Sequence, residues 1–181
     1  QGCGASFRGK KLGSFGEMGI FSFDYVKTVT TGEGGMVLTD NKSMADRAEW
    51  YHDHGHDHKA AGRAMDGRTI LGFNYRMNEI QGALGLAQLR KLDGIIDAQR
   101  KNKASIREAL QAVKGVGFRD IPDPAGDSAT FLAFNLPTAA EAKKFQKALG
   151  ARGIDTTCYN DNIWHYVPNW EHLLARSTAN S

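Results

Sequence analysis

Two cysteines in 181 residues are too few for a disulfide framework, and Cys3 and Cys158 stand too far apart for a metal or redox spacing. They read as free thiols in a reducing cytoplasm. No apolar run approaches the ~20 residues that a membrane-spanning helix needs, and no signal peptide is visible. Charge of neither sign dominates. The 23 basic and 20 acidic side chains give a net charge of +3 and are scattered without a basic block, which points away from nucleic acid and from membrane surfaces. Internal repeats and low-complexity tracts are absent. Gly32-Glu33-Gly34-Gly35 is followed by no Gly-Lys-Ser/Thr, so a nucleoside-triphosphate loop is excluded. An initial methionine is also missing: the chain opens on Gln1 and runs at once into glycine-rich sequence, which reads as a fragment lacking its N-terminal portion.

What is present is the profile of a globular protein, with 41% hydrophobic and 24% charged residues and a length sufficient for one ordinary domain or two small ones. Residues 2–19 carry repeated glycines and read as turns and short extended pieces. Met18 to Phe23 and Gly35 to Thr39 are short apolar runs expected to be buried strands. Asp40 or Asn41 caps a helix reaching about His52, with Met44, Ala48 and Tyr51 inward. Residues 53–70 form a polar loop. Asn78 and Gln81 make a capping box for a helix with Ile80, Leu84, Ala87 and Leu89 on one face; Gly94 breaks the pattern, and a longer helix runs from Ile95 to Val113. Residues 130–136 predict a strand. Thr138 and Glu141 open a helix to Arg152 with Gly153 as its stop, and Ile154 to Tyr159 is extended. The division expected is residues 1–100 as the end of one larger domain and 101–181 as a small α/β domain.

Between the first two strands lies a polar stretch with a single lysine, Lys27. A strand–loop–strand is a good frame from which to project a reactive group. Partial desolvation disfavours an ammonium, and the free amine is the form that condenses with an aldehyde. Ser22 and the Thr30-Thr31-Gly32-Glu33-Gly34-Gly35 run add hydroxyls and backbone N–H groups suited to a phosphate. The residues themselves therefore support a carbonyl-plus-phosphate site.

Phe21-Ser22-Phe23-Asp24-Tyr25-Val26-Lys27 through Thr31-Gly32-Glu33-Gly34-Gly35 resembles the S-F-x-x-x-K-x-x-x-T-G-E-G-G signature of the DegT/DnrJ/EryC1/StrS sugar aminotransferases. Gly72-Phe73-Asn74-Tyr75-Arg76-Met77 resembles that family's G-x-N-Y-R-M segment, Gln88-Leu89 with Leu92 its Q-L-x-x-L continuation, and Gln1-Gly2-Cys3-Gly4 the end of its E-D-x-A-Q-x-x-G segment. The resemblance is dense over residues 1–100 and loose beyond. It implies an α/β chain of the fold-type-I pyridoxal 5'-phosphate (PLP) transferases. Lys27 would hold PLP as a Schiff base and shuttle the proton. Ser22 would bond the phosphate, Gln1 the ring's 3′-oxygen, and Asn74 and Arg76 the phosphate of a neighbouring subunit, since family sites are shared across a homodimer. The family's aspartate for the pyridine nitrogen lies three residues before its glutamine, outside this chain.

The reaction implied moves an amino group, from glutamate by analogy, to a keto- or aldehydo-sugar of cell-surface polysaccharide or lipopolysaccharide, in the cytoplasm. Some relatives carry histidine at the lysine position and dehydrate their sugars. Lys27 favours transamination, with a dehydratase or a non-catalytic cofactor- or sugar-binding piece as the alternatives.

Three further groups stand outside these motifs. His52, His54, His56 and His58 alternate with Asp53, Gly55 and Asp57, and read as a metal site, a substrate or subunit contact, or a solvated loop. Lys59, Arg63 and Arg68 could meet an anionic substrate group. Trp164-His165-Tyr166 and Trp170-Glu171-His172 form an aromatic and histidine cluster in which His165 is a substrate-facing candidate. That cluster resembles the family branch that makes 8-amino-3,8-dideoxy-manno-octulosonate.

Overall fold

The computed structural model describes residues 1–59, 67, 69–161 and 167–175. The chain divides into two compact units. One comprises Gln1–Arg107 with Ile121–Leu132; the other comprises Glu108–Asp120 with Ala133–Ser181.

The first unit begins with two short hairpins. Strands β1 (Ser6–Phe7) and β2 (Lys10–Lys11) pair antiparallel, and so do β3 (Gly19–Ser22) and β4 (Gly35–Leu38), in a register running from Gly19 opposite Leu38 to Ser22 opposite Gly35. The strands at 18–23 and 35–39 thus form where expected, but they are not buried. Ile20 is 79% exposed and Val37 47%. Pairing satisfies the backbone and the apolar run supplies strand propensity, yet among the described residues nothing covers the hairpin's outer face.

Helix α1 (Lys42–His52) starts at Asn41, whose side-chain oxygen accepts from the Met44 N–H at 3.2 Å. Helix α2 (Glu79–Leu89) starts with the full capping box, Asn78 and Gln81 each bonding the other's backbone N–H. Its apolar residues are exposed as well: Ile80 by 80% and Leu86 by 61%. Helix α3 (Leu92–Gln111) follows at once. The break therefore lies at Arg90–Lys91, and Gly94 sits inside α3 instead of ending a helix. Arg90 and Lys91 turn their N–H groups back to Leu86 and Gln88, while Lys91's carbonyl already accepts from Ile95. A glycine in a first turn is tolerated because the N–H groups there have no intrahelical partner to lose.

The segment 121–132 is tied back to the start of the chain. Asp123 accepts from the Arg8 N–H at 2.6 Å, and Arg100 Nε donates to the Asp127 carbonyl at 2.8 Å. Among the described residues, Ala5, Val29, Ile96 and Ala129 are the buried apolar residues of this unit.

In the second unit β5 (Gly117–Phe118) pairs with β6 (Phe134–Asn135). The strand expected over 130–136 shortens to β6 because β5 offers only these two residues for pairing. Helix α4 (Ala139–Gly150) is capped by Thr138, and Phe145 on it meets Phe134 edge-on at 5.7 Å. Ile154 to Tyr159 joins no strand; Tyr159–Asp161 forms a 3-10 turn, and the Thr156 carbonyl accepts instead from Gln146 of α4 at 2.7 Å. A second 3-10 turn (Val167–Asn169) precedes α5 (Glu171–Leu174).

Candidate functional site

Ser22 ends β3 with an exposed side chain, and Lys27 lies in the loop that follows. Asp24 shapes this loop. Its carboxylate accepts from the Val26 N–H at 2.9 Å and lies 3.2 Å from Lys27 Nζ, while its carbonyl accepts from the Lys27 N–H at 3.1 Å. The lysine side chain is 20% exposed, so it is confined but reachable. The Val26 N–H first, and the Lys27 ammonium after it, hold the Asp24 carboxyl below its ordinary value of 3.8. A depressed pKa means the carboxylate's contribution is present above the unfolded value and fades as pH falls through the folded one. The loop is therefore stitched at neutral pH and loosens only in acid. A carboxyl-carbon NMR titration is expected to place the Asp24 midpoint below 3.8, and Lys27→Ala to return it only part of the way. A midpoint at or above 3.8 would count against the stitch.

The glycine-rich half of the loop is committed to its own architecture. Phe23 exchanges backbone bonds with Gly34 and Thr31, each at 2.9 Å. The Thr31 hydroxyl, in a residue only 5% exposed, donates to the Glu33 carbonyl at 2.6 Å, and the Thr30 hydroxyl accepts from the Gly32 N–H at 3.0 Å. These hydroxyls, expected from sequence to be available to a phosphate, brace the turn. Gly34 has φ of +146°, and a Cβ there would stand 2.7 Å from the Thr31 hydroxyl. Gln81 at the start of α2 donates to the Glu33 carbonyl at 2.8 Å, so the segment following Arg76 is fastened to the lysine loop.

Asn74 and Arg76 lie on a stretch laid along the end of α1. Phe73 N–H donates to Tyr51, Tyr75 N–H to His52, and His54 N–H to Phe73, at 2.8–3.0 Å, with Asp53 and Asn74 forming an antiparallel bridge. Arg76 Nη1 donates to Asp53 Oδ1 at 2.8 Å, and His58 Nε2 lies 3.5 Å from the other carboxylate oxygen. The Asp53 side chain is 6% exposed and the Arg76 side chain 31%. The rings of His54, His56 and His58 follow one another at 6.2 and 6.1 Å, His56 is buried, and His58 lies beside this carboxylate. Among the described residues no group of three metal-ligating side chains comes together. Lys59 pairs loosely with Asp57, at 3.8 Å.

Gln1 is exposed, and its carbonyl accepts from the Ser128 and Thr130 hydroxyls at 3.4 and 3.3 Å. Arg63, Arg68 and the Trp164-His165-Tyr166 cluster lie outside the described residues. Two residues that organise this region, Asp24 and Asp53, are given no role by the sequence motifs. Asp24 was findable, three positions before Lys27 in a turn. Asp53 was not, because its partner Arg76 is 23 residues away.

The sequence profile described as the DegT/DnrJ/EryC1/StrS aminotransferase family matches residues 1–180. The GDP-perosamine synthase of Escherichia coli O157:H7 is 41% identical over 98 residues, which is 54% of this chain and 26% of that protein. PseC of Helicobacter pylori, an aminotransferase involved in the biosynthesis of pseudoaminic acid, superposes with a TM-score of 0.78 over 98% of this chain and 46% of that one; at 24% identity this shows the fold alone. A GDP-4-keto-6-deoxymannose-3-dehydratase, solved with a trapped PLP-glutamate geminal diamine, superposes with a TM-score of 0.75 at 26% identity, over 84% of this chain and 43% of that one. The chain thus spans less than half the length of each of these relatives. The architecture is that of the fold-type-I PLP enzymes, and the aminotransferases of the matched family are PLP-dependent. With a lysine-bearing hairpin loop, an Asn-Tyr-Arg stretch fastened behind it, and a profile match running almost end to end, the chain belongs to the DegT/DnrJ/EryC1/StrS aminotransferase family.

Proposed function

We propose that this chain belongs to a PLP-dependent aminotransferase that transfers an amino group, from glutamate, to a keto-sugar carried on a nucleotide. The observation that carries the reading is Lys27, 20% exposed and held beside Asp24 at 3.2 Å in the loop directly after Ser22. These residues fit PLP: a confined but reachable amine suits its aldehyde, and an exposed hydroxyl at the strand end suits its phosphate. When bound, PLP supplies an electron sink for breaking and forming bonds at the carbon that bears nitrogen. Lys27 holds the cofactor and then, as a free amine, takes and returns the proton. Ser22 donates to the phosphate, Gln1 meets the ring oxygen, and Asn74 and Arg76 serve the phosphate of a second subunit in a homodimer. Arg68 and His165 remain candidates for the substrate.

The nucleotide-linked acceptor rests on the names of relatives. They include GDP-perosamine synthases and a UDP-4-amino-4,6-dideoxy-N-acetyl-beta-L-altrosamine transaminase, which favour such a sugar over an octulosonate. Cell-surface polysaccharide or lipopolysaccharide synthesis in the cytoplasm is the matching setting; no described helix is long and apolar enough to cross a membrane. We take residues 1–100 as the end of the cofactor-binding domain and 101–181 as the small domain. A dehydratase is the second reading, favoured by the dehydratase structure above.

The test is the purified protein with PLP, glutamate and a GDP- or UDP-linked 4-keto-6-deoxy sugar. Glutamate is expected to bleach the visible band, and the sugar to gain nitrogen as judged by mass. A product that has lost water without gaining nitrogen means dehydration, and a band unmoved by any amino donor sinks the amino-transfer reading.

A further inference from the structure

Asp53 is a carboxylate in a residue only 4% exposed, at the point where three chain features meet: the end of α1, the histidine run and the Asn74–Arg76 stretch. Such burial is unfavourable for a charge unless a cation and hydrogen bonds compensate it. Arg76 provides a cation, its Nη1 donating to Asp53 Oδ1 at 2.8 Å. A guanidinium is planar and rigid, so holding one nitrogen sets the direction of the remaining donors. The Arg76 side chain is 31% exposed, so it is only partly enclosed. The Asp53 backbone pairs with that of Asn74, and the Asn74 side-chain oxygen in turn accepts from the Arg76 N–H at 3.5 Å. One buried residue therefore governs both the backbone and the cation of the stretch.

We infer that Asp53 is a positioning residue for phosphate recognition: it aims the Arg76 guanidinium and the Asn74 amide at an anion that it does not itself touch. This rests on the proposed function, in which that anion is the phosphate of PLP. A carboxylate beside an anion site is unfavourable in itself, and its burial behind Arg76 turns it into an anchor. Glutamine or asparagine at the position would keep a hydrogen bond to Arg76 but lose the charge that holds the fork in place.

The test compares PLP with pyridoxal, which has the same aldehyde and no phosphate, by titrating cofactor-free protein and following the visible band. Asp53→Asn is expected to raise the Kd for PLP about tenfold. The same variant should leave pyridoxal within about twofold, because the amine of Lys27 is untouched. Asp53→Glu should recover most of the PLP affinity, and Asp53→Asn placed on Arg76→Lys should add less than about twofold, since both act through one guanidinium. Equal weakening of PLP and pyridoxal, an unchanged PLP affinity, full additivity with Arg76→Lys, or an Asp53→Asn chain that does not fold by circular dichroism would each overturn the inference. Failure of the proposed function is seen separately: borohydride reduction of the wild-type protein with PLP would then leave Lys27 unlabelled.

Discussion

Lys27→Ala is expected to abolish the visible band that PLP should give with the wild-type protein, and borohydride should then mark no peptide containing residue 27. Under the proposed function, turnover is expected to fall by roughly 10³-fold or more, the scale on which a positioned proton-transfer group contributes. The expectation follows from the loop. Lys27 is held by a backbone turn and a carboxylate, both from Asp24, so neither the amine nor its direction can be borrowed from another lysine. Phe23, Thr31 and Gly34 close the loop through backbone bonds that the substitution leaves intact, so the variant should remain folded. Loss of the band with an unchanged melting temperature is therefore the result to look for. A band that survives, or a label on another lysine, removes the central assignment.

Gly55→Ala is expected to be strongly destabilising. Gly55 sits at φ +82°, and a Cβ there would stand 1.9 Å from the Ile70 carbonyl oxygen. Gly72 packs against it so closely that its own Cβ would lie 2.4 Å from the Gly55 nitrogen. The left-handed backbone costs a side chain about 1–2 kcal/mol, and forcing atoms into a filled space about 1–3 kcal/mol more. A loss of roughly 3 kcal/mol corresponds to roughly 6–12 °C in Tm for a chain of this size. Gly82→Ala is the control. It lies in α2 with no atom within 4 Å of the added carbon among the described residues, so calorimetry should show no loss. Equal melting temperatures for the two variants would mean that the Gly55–Ile70 contact is not what holds this stretch. The consequence reaches the site, because the same contact lays residues 72–75 along the end of α1 and so places Asn74 and Arg76.

Local chemistry made much of the chain legible. Asn41, Asn78 and Thr138 each cap the helix they were expected to open, because a cap is written within four residues. The two runs flanking Lys27 are recognisable as strands for a similar reason, since short apolar runs holding aromatic or β-branched residues favour extended backbone wherever a partner exists. What failed depended on partners. The strand at 130–136 shrank to Phe134–Asn135, and the helix break moved from Gly94 to Arg90–Lys91. Ile20 of β3 and the apolar residues of β4 and α2 are expected from sequence to be covered and are exposed, because hydrophobicity states a preference for cover without saying what supplies it.

By itself, the sequence determined the family and the strand–loop–strand frame around Lys27, for these rest on contiguous motifs whose spacing survives without a third dimension. Only the tertiary structure decided that the Thr30 and Thr31 hydroxyls brace the turn, and that His58 lies against a buried carboxylate. Only it paired Asp53 with Arg76, 23 residues on. A salt bridge between distant residues leaves no periodic trace in a sequence. It exists because Gly55 and Gly72 let two backbones approach within reach of each other.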